Sequence, residues 1–586
     1  MQQWIVINKK ADFKRIGEKY KIDQVTARII RNRDVIEDEE IRKFLYGGMA
    51  DLHSPHLLKD GEKLVAILLK KIQEKKHIRV IGDYDIDGVM ATYILVSALE
   101  RCGAVVSTQI PDRIHDGYGL NKKLIDKAKE DGIDTILTCD NGIAAIDEIA
   151  YAKDLGMTVL VTDHHEIPYQ EEEGVRKFKY SLADAVVNPH QIACEYPYKQ
   201  LCGAAVAWKV VCLLYEASGI ALEEAEQFLE NAAFATVGDI MSLTGENRIL
   251  VKEGIKRIRH TKNIGMQALI AQCGLEADKI DAYHFGFVLG PCINASGRLD
   301  TAKRALELFF EQDMAKAAQI ANELVVLNNE RKQLTLEGVE KAIRFCEETG
   351  CEKDDVLVIY LPDVHESIAG IIAGRIREKY QKPVFVLTKT EDGVKGSGRS
   401  IEEYSMYEQM CKCQELFTKF GGHPMAAGVS LPEENVERFR EKINALSTLT
   451  EADFIPKVRI DVPMPMCYVT MDLVQEFSLL APFGKDNTKP IFADKGVKIK
   501  RMWVMGKNRN VLKLSMLTND GVPVTGIHFG DVDAFVEYAE AKFGRAQVQA
   551  AFDGKSNELE FSVVYFPKIN HFRGVDELQF EIQLFQ

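Results

Sequence analysis

The sequence predicts an α/β protein with a parallel-sheet domain, a smaller α/β domain beyond a long helix, and a C-terminal β-barrel. Three observations carry this reading. Short β-branched runs at residues 77–82, 135–138 and 158–162 are each followed by a helical pattern, which makes residues 77–190 a run of β-α units on a parallel sheet. Residues 313–345 are nearly free of Gly and Pro, interrupted only by Gly338, and read as one amphipathic helix. From about residue 455 onward, β-like segments and turn residues dominate, the pattern of a small barrel or sandwich.

In chain order, residues 1–45 are charged and helical in pattern, an N-terminal helical segment that reads as an adaptor. Residues 46–315 form the first large domain, with its β-α part first and a helix-rich part after Leu201. Residues 316–350 are the connecting helix, and 351–450 the second α/β domain. There, strands near 356–360 and 384–387 flank a helix at 368–380, in which Gly370 and Gly374 allow close packing. Residues 455–570 are the barrel and 571–586 a tail; no internal repeat is visible.

The bulk numbers set bounds. A chain of 586 residues is too long for one core. Its 46% hydrophobic and 28% charged residues are ordinary for a globular protein. No apolar run approaches the roughly 20 residues of a membrane span, and the start lacks a basic leader with an apolar core, so a cytoplasmic enzyme with no membrane partner is expected. The 12 cysteines include no C-x-x-C pair, which fits reduced thiols rather than a disulfide frame or a zinc site. A net charge of −14 argues, taken alone, against a nucleic-acid partner. Concentrated carboxylate that holds cations would account for part of it.

Acids and histidines stand at the end of each early strand. Asp83, Asp85 and Asp87 precede Gly88; Asp140 sits in Cys139-Asp140-Asn141-Gly142; Asp163 leads into His164 and His165. Asp239, in Ala235-Thr-Val-Gly-Asp-Ile-Met241, is a plausible last member. In an open parallel sheet, functional residues gather beyond the carboxyl ends of the strands, so the topology would assemble these side chains. Mn²⁺ and Mg²⁺ take oxygen ligands, and imidazole suits Mn²⁺. Two ions about 3.5–4 Å apart would stabilise both the attacking and the leaving oxygen at a phosphorus centre. A second cluster lies near the C-terminus: Lys495, Lys498, Lys500, Arg501, Lys507, Arg509 and Lys513, with Trp503 among them and no acid between. Backbone neutralisation beside an aromatic platform is what a single-strand groove needs.

Together, Asp85-Ile-Asp-Gly88, Asp140-Asn-Gly142 and Asp163-His-His165 resemble the DHH phosphoesterase superfamily. Finer motifs resemble its RecJ-type single-stranded-DNA exonuclease branch: Pro111–Gly119, Val187-Asn-Pro189, Cys202-Gly203 with Val206-Ala-Trp-Lys209, and Gly290–Arg298. His365, Gly396-Ser-Gly-Arg-Ser400 and Gly421–Gly428 match the DHH-associated domain. The resemblance covers nearly the whole chain from residue 45. It implies a 5′→3′ exonuclease on single-stranded DNA that releases 5′-mononucleotides in repair and recombination. It also implies an OB-like barrel, two divalent cations with Mn²⁺ ahead of Mg²⁺, a helicase and a single-strand-binding protein as partners, and a monomer.

Residue by residue, the resemblance makes Asp83, Asp85, Asp87, Asp140, His164, His165 and Asp239 the metal-site residues and sets His365 across the cleft from them. Arg298, Ser397 and Arg399 would grip the 5′-phosphate, since guanidinium groups bind phosphate in bidentate fashion. Arg113 would touch a neighbouring phosphate, with Tyr118 beside it and His423 in the same cleft. Five positions depart from the usual wording: Cys292 for arginine, Val364 for tryptophan, Ser367 and Asp486 for glycine, and Thr488 for proline. None removes a metal residue, so an active enzyme with altered substrate preference is expected. Two alternatives stay open: a phosphodiesterase for short oligonucleotides or cyclic dinucleotides, and a catalytically silent replication scaffold of the same fold.

Overall fold

In the computed structural model, which describes residues 2–113, 117, 119–172, 175–391, 393–572 and 574–586, the three β-branched runs become strands of a five-stranded parallel sheet. Its strands are β1 (His77–Ile81), β2 (Val105–Gln109), β3 (Thr135–Cys139), β4 (Thr158–Thr162) and β5 (Ala185–Val187), in the order β2-β1-β3-β4-β5. Every residue of β3 is buried, as a sheet covered on both faces requires. The order reverses between β1 and β3, and that is where a ligand crevice opens in such sheets. One expectation fails here. β4 is followed not by a helix but by an antiparallel hairpin, Tyr169–Glu172 with Val175–Phe178, before the chain returns as β5.

The chain divides into two units: residues 53–241 with 250–456, and residues 2–52 with 242–249 and 457–586. In the first, the Met314–Thr349 helix is capped by the Asp313 carboxylate, which accepts from the N–H groups of Ala315 and Lys316, and it stops at Gly350 in the left-handed region (φ 69°). Gly338 marks where a neighbour packs: a Cβ there would stand 2.3 Å from Ile372 Cδ1. Beyond it lies a mixed sheet of β6 (Leu357–Tyr360), β7 (Val384–Thr390), β8 (Gly393–Arg399), β9 (Lys419–His423) and β10 (Ala426–Leu431), ordered β9-β10-β8-β7-β6. Val384 and Val386 pack with Ile372 and Ile376 of the Ala369–Tyr380 helix on one face. Phe385 and Leu387 pack with Phe439 and Ile443 of the Val436–Ala445 helix on the other.

In the second unit, β11 (Phe492–Met505), β12 (Val511–Leu517), β13 (Pro523–Phe529), β14 (Glu560–Phe572) and β15 (Val575–Phe585) close a barrel in the order β11-β12-β13-β15-β14. Residues 571–586, expected as a tail, complete β14 and supply β15, which pairs with β13 and β14 and leaves no open edge. The N-terminal segment is likewise no separate adaptor. Gln3–Val6 is a strand paired in parallel with Lys457–Ile460, and Ile29, Ile30, Ile41 and Leu45 share one core with the barrel. Arg33 meets Asp461 at 2.5 Å, both nearly buried. Arg248 is wholly buried and donates to the carbonyls of Phe44, Leu479 and Leu480. No helix among the described residues is long and apolar enough to cross a membrane, and all 12 cysteines are free thiols.

Candidate metal centre and substrate cleft

The Asp83–Gly88 segment is a strand-to-helix turn. Asp85 caps the Ile86–Arg101 helix, its Oδ1 accepting from the N–H groups of Asp87 (2.9 Å) and Gly88 (3.2 Å). The turn closes this tightly because residue 88 is glycine: a Cβ would lie 2.3 Å from the Asp83 carbonyl oxygen. Asp87 spends both oxygens on the start of the Gly203–Ser218 helix, accepting from the N–H of Gly203 (2.6 Å) and of Ala204 (2.7 Å). A helix N-terminus favours a carboxylate there.

Around this turn the sheet delivers the remaining ligands. Asp140 follows β3, His164 and His165 follow β4, and Asp239 ends the Leu229–Gly238 helix. His164 Nε2 lies 3.1 Å from Asp140 Oδ1, 3.5 Å from Asp87 Oδ2 and 3.8 Å from Asp239 Oδ2. Three overlapping groups have ligand atoms within 4.8 Å of one another: Asp83, Asp85 and Asp140; Asp87, His164 and Asp239; Asp140, His164 and His165. All seven expected metal residues therefore meet in one cluster.

The electrostatics are those of a cation site. Burial pushes the Asp83 carboxyl well above its ordinary value, and the neighbouring Asp85 pushes it further. Burial raises Asp140 in the same way, with Asp87 and Asp85 adding to it. Burial holds His164 below its usual value, in the neutral form that ligates. Asp83 Oδ1 is buried with no hydrogen-bond partner among the described residues, an orphaned oxygen that a cation would satisfy. Hard carboxylates with two imidazoles fit a divalent ion such as Mn²⁺ or Mg²⁺.

Asp163 is the residue that sequence reasoning left out. Buried, it accepts from the N–H groups of His164 (2.7 Å) and His165 (3.1 Å) and from His165 Nδ1 (2.8 Å), while its other oxygen accepts from the Ile143 N–H. Burial opposes the charged imidazole of His165, but the Asp163 hydrogen bond and charge outweigh it and raise that group to about 9. The carboxylate so fixes the ring and leaves Nε2 for a ligand. Its signal was its place one residue ahead of the two histidines. Asn141 and Asn294 were also missed. Asn141 ties β1 to β3 by donating to the carbonyls of Ile81 and Cys139, and Asn294 Oδ1 accepts from the Ile86 N–H at 2.8 Å.

In the second α/β domain, His365 Nδ1 faces the Ser367 hydroxyl at 2.7 Å and accepts from the Ser367 N–H at 3.3 Å, which leaves Nε2 free of these two contacts. The serine that replaces a customary glycine thus orients this histidine. The Ser367 carbonyl accepts from Arg298 Nη1 at 2.7 Å. Burial brings Arg298 down to about 10, with Arg113 and Arg331 adding to the shift. Arg399 donates to the Gly398 carbonyl, and a Cβ on Gly370 would stand 3.0 Å from its Nη2. Neither Arg298 nor Arg399 has an ion-pair partner among the described residues, as expected of cations kept for an anion. Arg113 lies 5.0 Å over the Tyr84 ring and, with Tyr84 and Ser397, lines a cavity of about 500 Å³. Tyr118 lies outside the described residues. His423 is exposed on β9 and paired with Ala426. Cys292 and Val364 are buried.

On the barrel, Lys498, Lys500, Arg501 and Trp503 lie exposed on β11, with the Arg501 guanidinium 4.9 Å from the Trp503 ring. Lys507 and Arg509 stand in the exposed turn that joins β11 to β12. Asp486 takes φ 60°, the left-handed region its customary glycine would enter more readily.

Comparison with known proteins agrees with this architecture. Residues 77–236 match the DHH family N-terminal domain, 353–448 the DHHA1 domain and 460–584 the RecJ OB domain. The chain is 32% identical over 540 residues to the single-stranded-DNA-specific exonuclease RecJ of Escherichia coli, covering 88% of this chain and 89% of that one. It is 33% identical over 507 residues to the RecJ of Bacillus subtilis, covering 86% of this chain but only 62% of the longer relative. The crystal structure of RecJ from Thermus thermophilus in complex with Mn²⁺ superposes with a TM-score of 0.81 at 26% identity, over 99% of this chain and 78% of that one. A DHH domain, a DHHA1 domain and an OB barrel in this order, with a relative 32% identical over 89% of its length, make the chain a member of the RecJ family.

Proposed function

We propose that this chain is a metal-dependent exonuclease that shortens single-stranded DNA from its 5′ end, one 5′-mononucleotide at a time. The observation that carries the reading is a seven-residue carboxylate–imidazole cluster in the same unit as two arginines, Arg298 and Arg399, that have no ion-pair partner among the described residues. When bound, two divalent cations, Mn²⁺ ahead of Mg²⁺, supply positive charge to the oxygens of the scissile phosphate. The protein's own residues do the rest. Arg298 and Arg399, with the Ser397 hydroxyl, bind a terminal phosphate in bidentate, charge-assisted fashion and fix where the strand ends. A fixed end sets which phosphodiester reaches Asp83–Asp140, and hence the release of single nucleotides. His365, oriented by Ser367, presents Nε2 to that phosphate from the opposite wall. Lys498, Arg501 and Trp503 on the barrel hold the trailing strand by charge and stacking. The enzyme acts as a monomer in the cytoplasm, in repair and recombination, where a helicase and a single-strand-binding protein expose its substrate.

The test is digestion of long single-stranded DNA labelled separately at its two ends, with Mn²⁺, with Mg²⁺ and with chelator. Early release of 5′-labelled mononucleotide, with the 3′ label lost last and no digestion under chelator, is the expected result. Turnover confined to short oligonucleotides or cyclic dinucleotides would overturn the reading.

A further inference from the structure

One face of the β6–β10 sheet is only half covered. The Ala369–Tyr380 helix packs against Val384 and Val386 of β7, and β8 shares that face through the pairs Val384↔Arg399 and Val386↔Ser397. Beyond the helix the face lies open, and a Cβ added to Gly421 or Gly428 would meet nothing within 4 Å. Alternation along β8 turns Val394 and Gly398 into the core and Lys395, Ser397 and Arg399 to the helix side, where Ser397 and Arg399 stand beside Gly370 and Lys395 is exposed. The register then lays three rows across β8, β10 and β9: Arg399–Ala426–His423, Ser397–Gly428–Gly421, and Lys395–Ser430–Lys419.

We infer that the third row, Lys395–Ser430–Lys419, is a second phosphate subsite, holding the sugar-phosphate backbone of a single strand apart from its terminal phosphate. This rests on the exonuclease reading and deepens it. Successive rows on one face are about 7 Å apart and adjacent strands about 5 Å apart. The lysine row therefore stands one row beyond Ser397 and two beyond Arg399, while its two lysines flank Ser430 at about one strand spacing each. The register places two lysines and a serine side by side on one face of the sheet, the residue types that hold a phosphate. The row lines the cavity of about 500 Å³ whose other wall is Tyr84 and Arg113, next to the metal turn. Lys419 is exposed. Lys395 Nζ lies 3.1 Å from Glu366 Oε2, but both groups reach solvent, and an ion pair so exposed yields readily to a phosphate.

The test is steady-state digestion of 5′-phosphorylated and 5′-hydroxyl single strands by the full chain, at several salt concentrations, for wild type, Lys395→Ala/Lys419→Ala and Lys395→Arg/Lys419→Arg. The alanine pair is expected to raise KM about tenfold, with the effect in KM rather than kcat, and to lower the slope of log affinity against log salt by about 0.7 for each phosphate no longer neutralised. The preference for a phosphorylated end stays as in wild type, and the arginine pair restores KM. Lys419→Glu, on an exposed edge strand, carries the same test if the double variant does not fold. Unchanged KM and salt slope in a wild type that digests DNA would overturn the subsite and leave the exonuclease reading standing. Loss of end preference would place the lysines in the terminal pocket and overturn it equally. A wild type that digests no single strand at all would instead sink the exonuclease reading.

Discussion

The Gly203 N–H donates to the Asp87 carboxylate at 2.6 Å, at a point where a Cβ on Gly203 would stand 2.6 Å from Asp140 Cβ. One helix start therefore holds one ligand and makes room for another. Gly203→Ala should force Asp140 or the helix to shift, destabilising the unit by about 1–3 kcal/mol. Displacement of a ligand by about 1 Å should lower kcat about 100-fold. Thermal melts together with single-strand digestion check both, and wild-type rates in a folded variant would refute the packing argument.

Asp163 acts through the histidines it orients. Asp163→Asn keeps the volume but loses the charge that holds the His165 ring, and metal affinity or activity should fall about 10–100-fold. Titrating activity against Mn²⁺ reads this directly. An unchanged half-saturating concentration with an unchanged rate would exclude the positioning role.

The metal cluster crowds like charges in a dry place, so cations should stabilise it. Mn²⁺ at about 100 times its Kd should add about 2.7 kcal/mol and raise the melting temperature. Asp140→Asn removes one of the mutually repelling carboxylates; under chelator it should melt higher than wild type while losing both the cation-dependent shift and hydrolysis. A cation shift of wild-type size in this variant would contradict the ligand assignment.

Glu230 lies away from the cluster, 6% exposed, its Oε1 accepting from Thr261 Oγ1 at 2.5 Å. Burial raises its pKa from 4.5 to about 7. Because the folded value exceeds the unfolded one, the contribution of Glu230 to stability is fully present below about pH 4.5, and up to about 3 kcal/mol of it is lost as pH rises from there through 7. Glu230→Gln stays neutral, so its stability relative to wild type should grow between pH 5 and pH 8. Melting differences that do not change with pH would contradict this.

On the barrel, the Arg501 guanidinium stacks 4.9 Å from the Trp503 ring on exposed β11. Trp503→Ala should weaken single-strand binding by about 1–3 kcal/mol, the usual worth of one stacked base. Fluorescence anisotropy of a labelled oligonucleotide, with the cations withheld, separates this from catalysis. Equal affinity would leave the basic strand as a solvated face.

Much of the site was legible because its residues sit at local punctuation. Asp83–Gly88, Asp140–Gly142 and Asp163–His165 each follow a β-branched strand, and parallel strands carry their ends to one edge. The hairpin at 169–178 was not legible, since a short polar segment can take either form and its pairing decides. Nor were residues 571–586, because a terminal run shows its partners only once a barrel closes on it. The N-terminal helices read as amphipathic, but nothing in residues 1–45 names the surface their apolar stripe covers. That surface belongs to strands more than 400 residues away.

By itself, then, the sequence determined the residue types, the strand ends and the order of the domains, because β-branching, capping and turn preferences act over a few residues. Only the tertiary structure decided that Asp87 rests on the start of the Gly203 helix, that Asp163 orients both histidines, and that Lys395 and Lys419 share a row. Those relationships arise from sheet order, register and burial, which are properties of segments distant in the chain packed against one another.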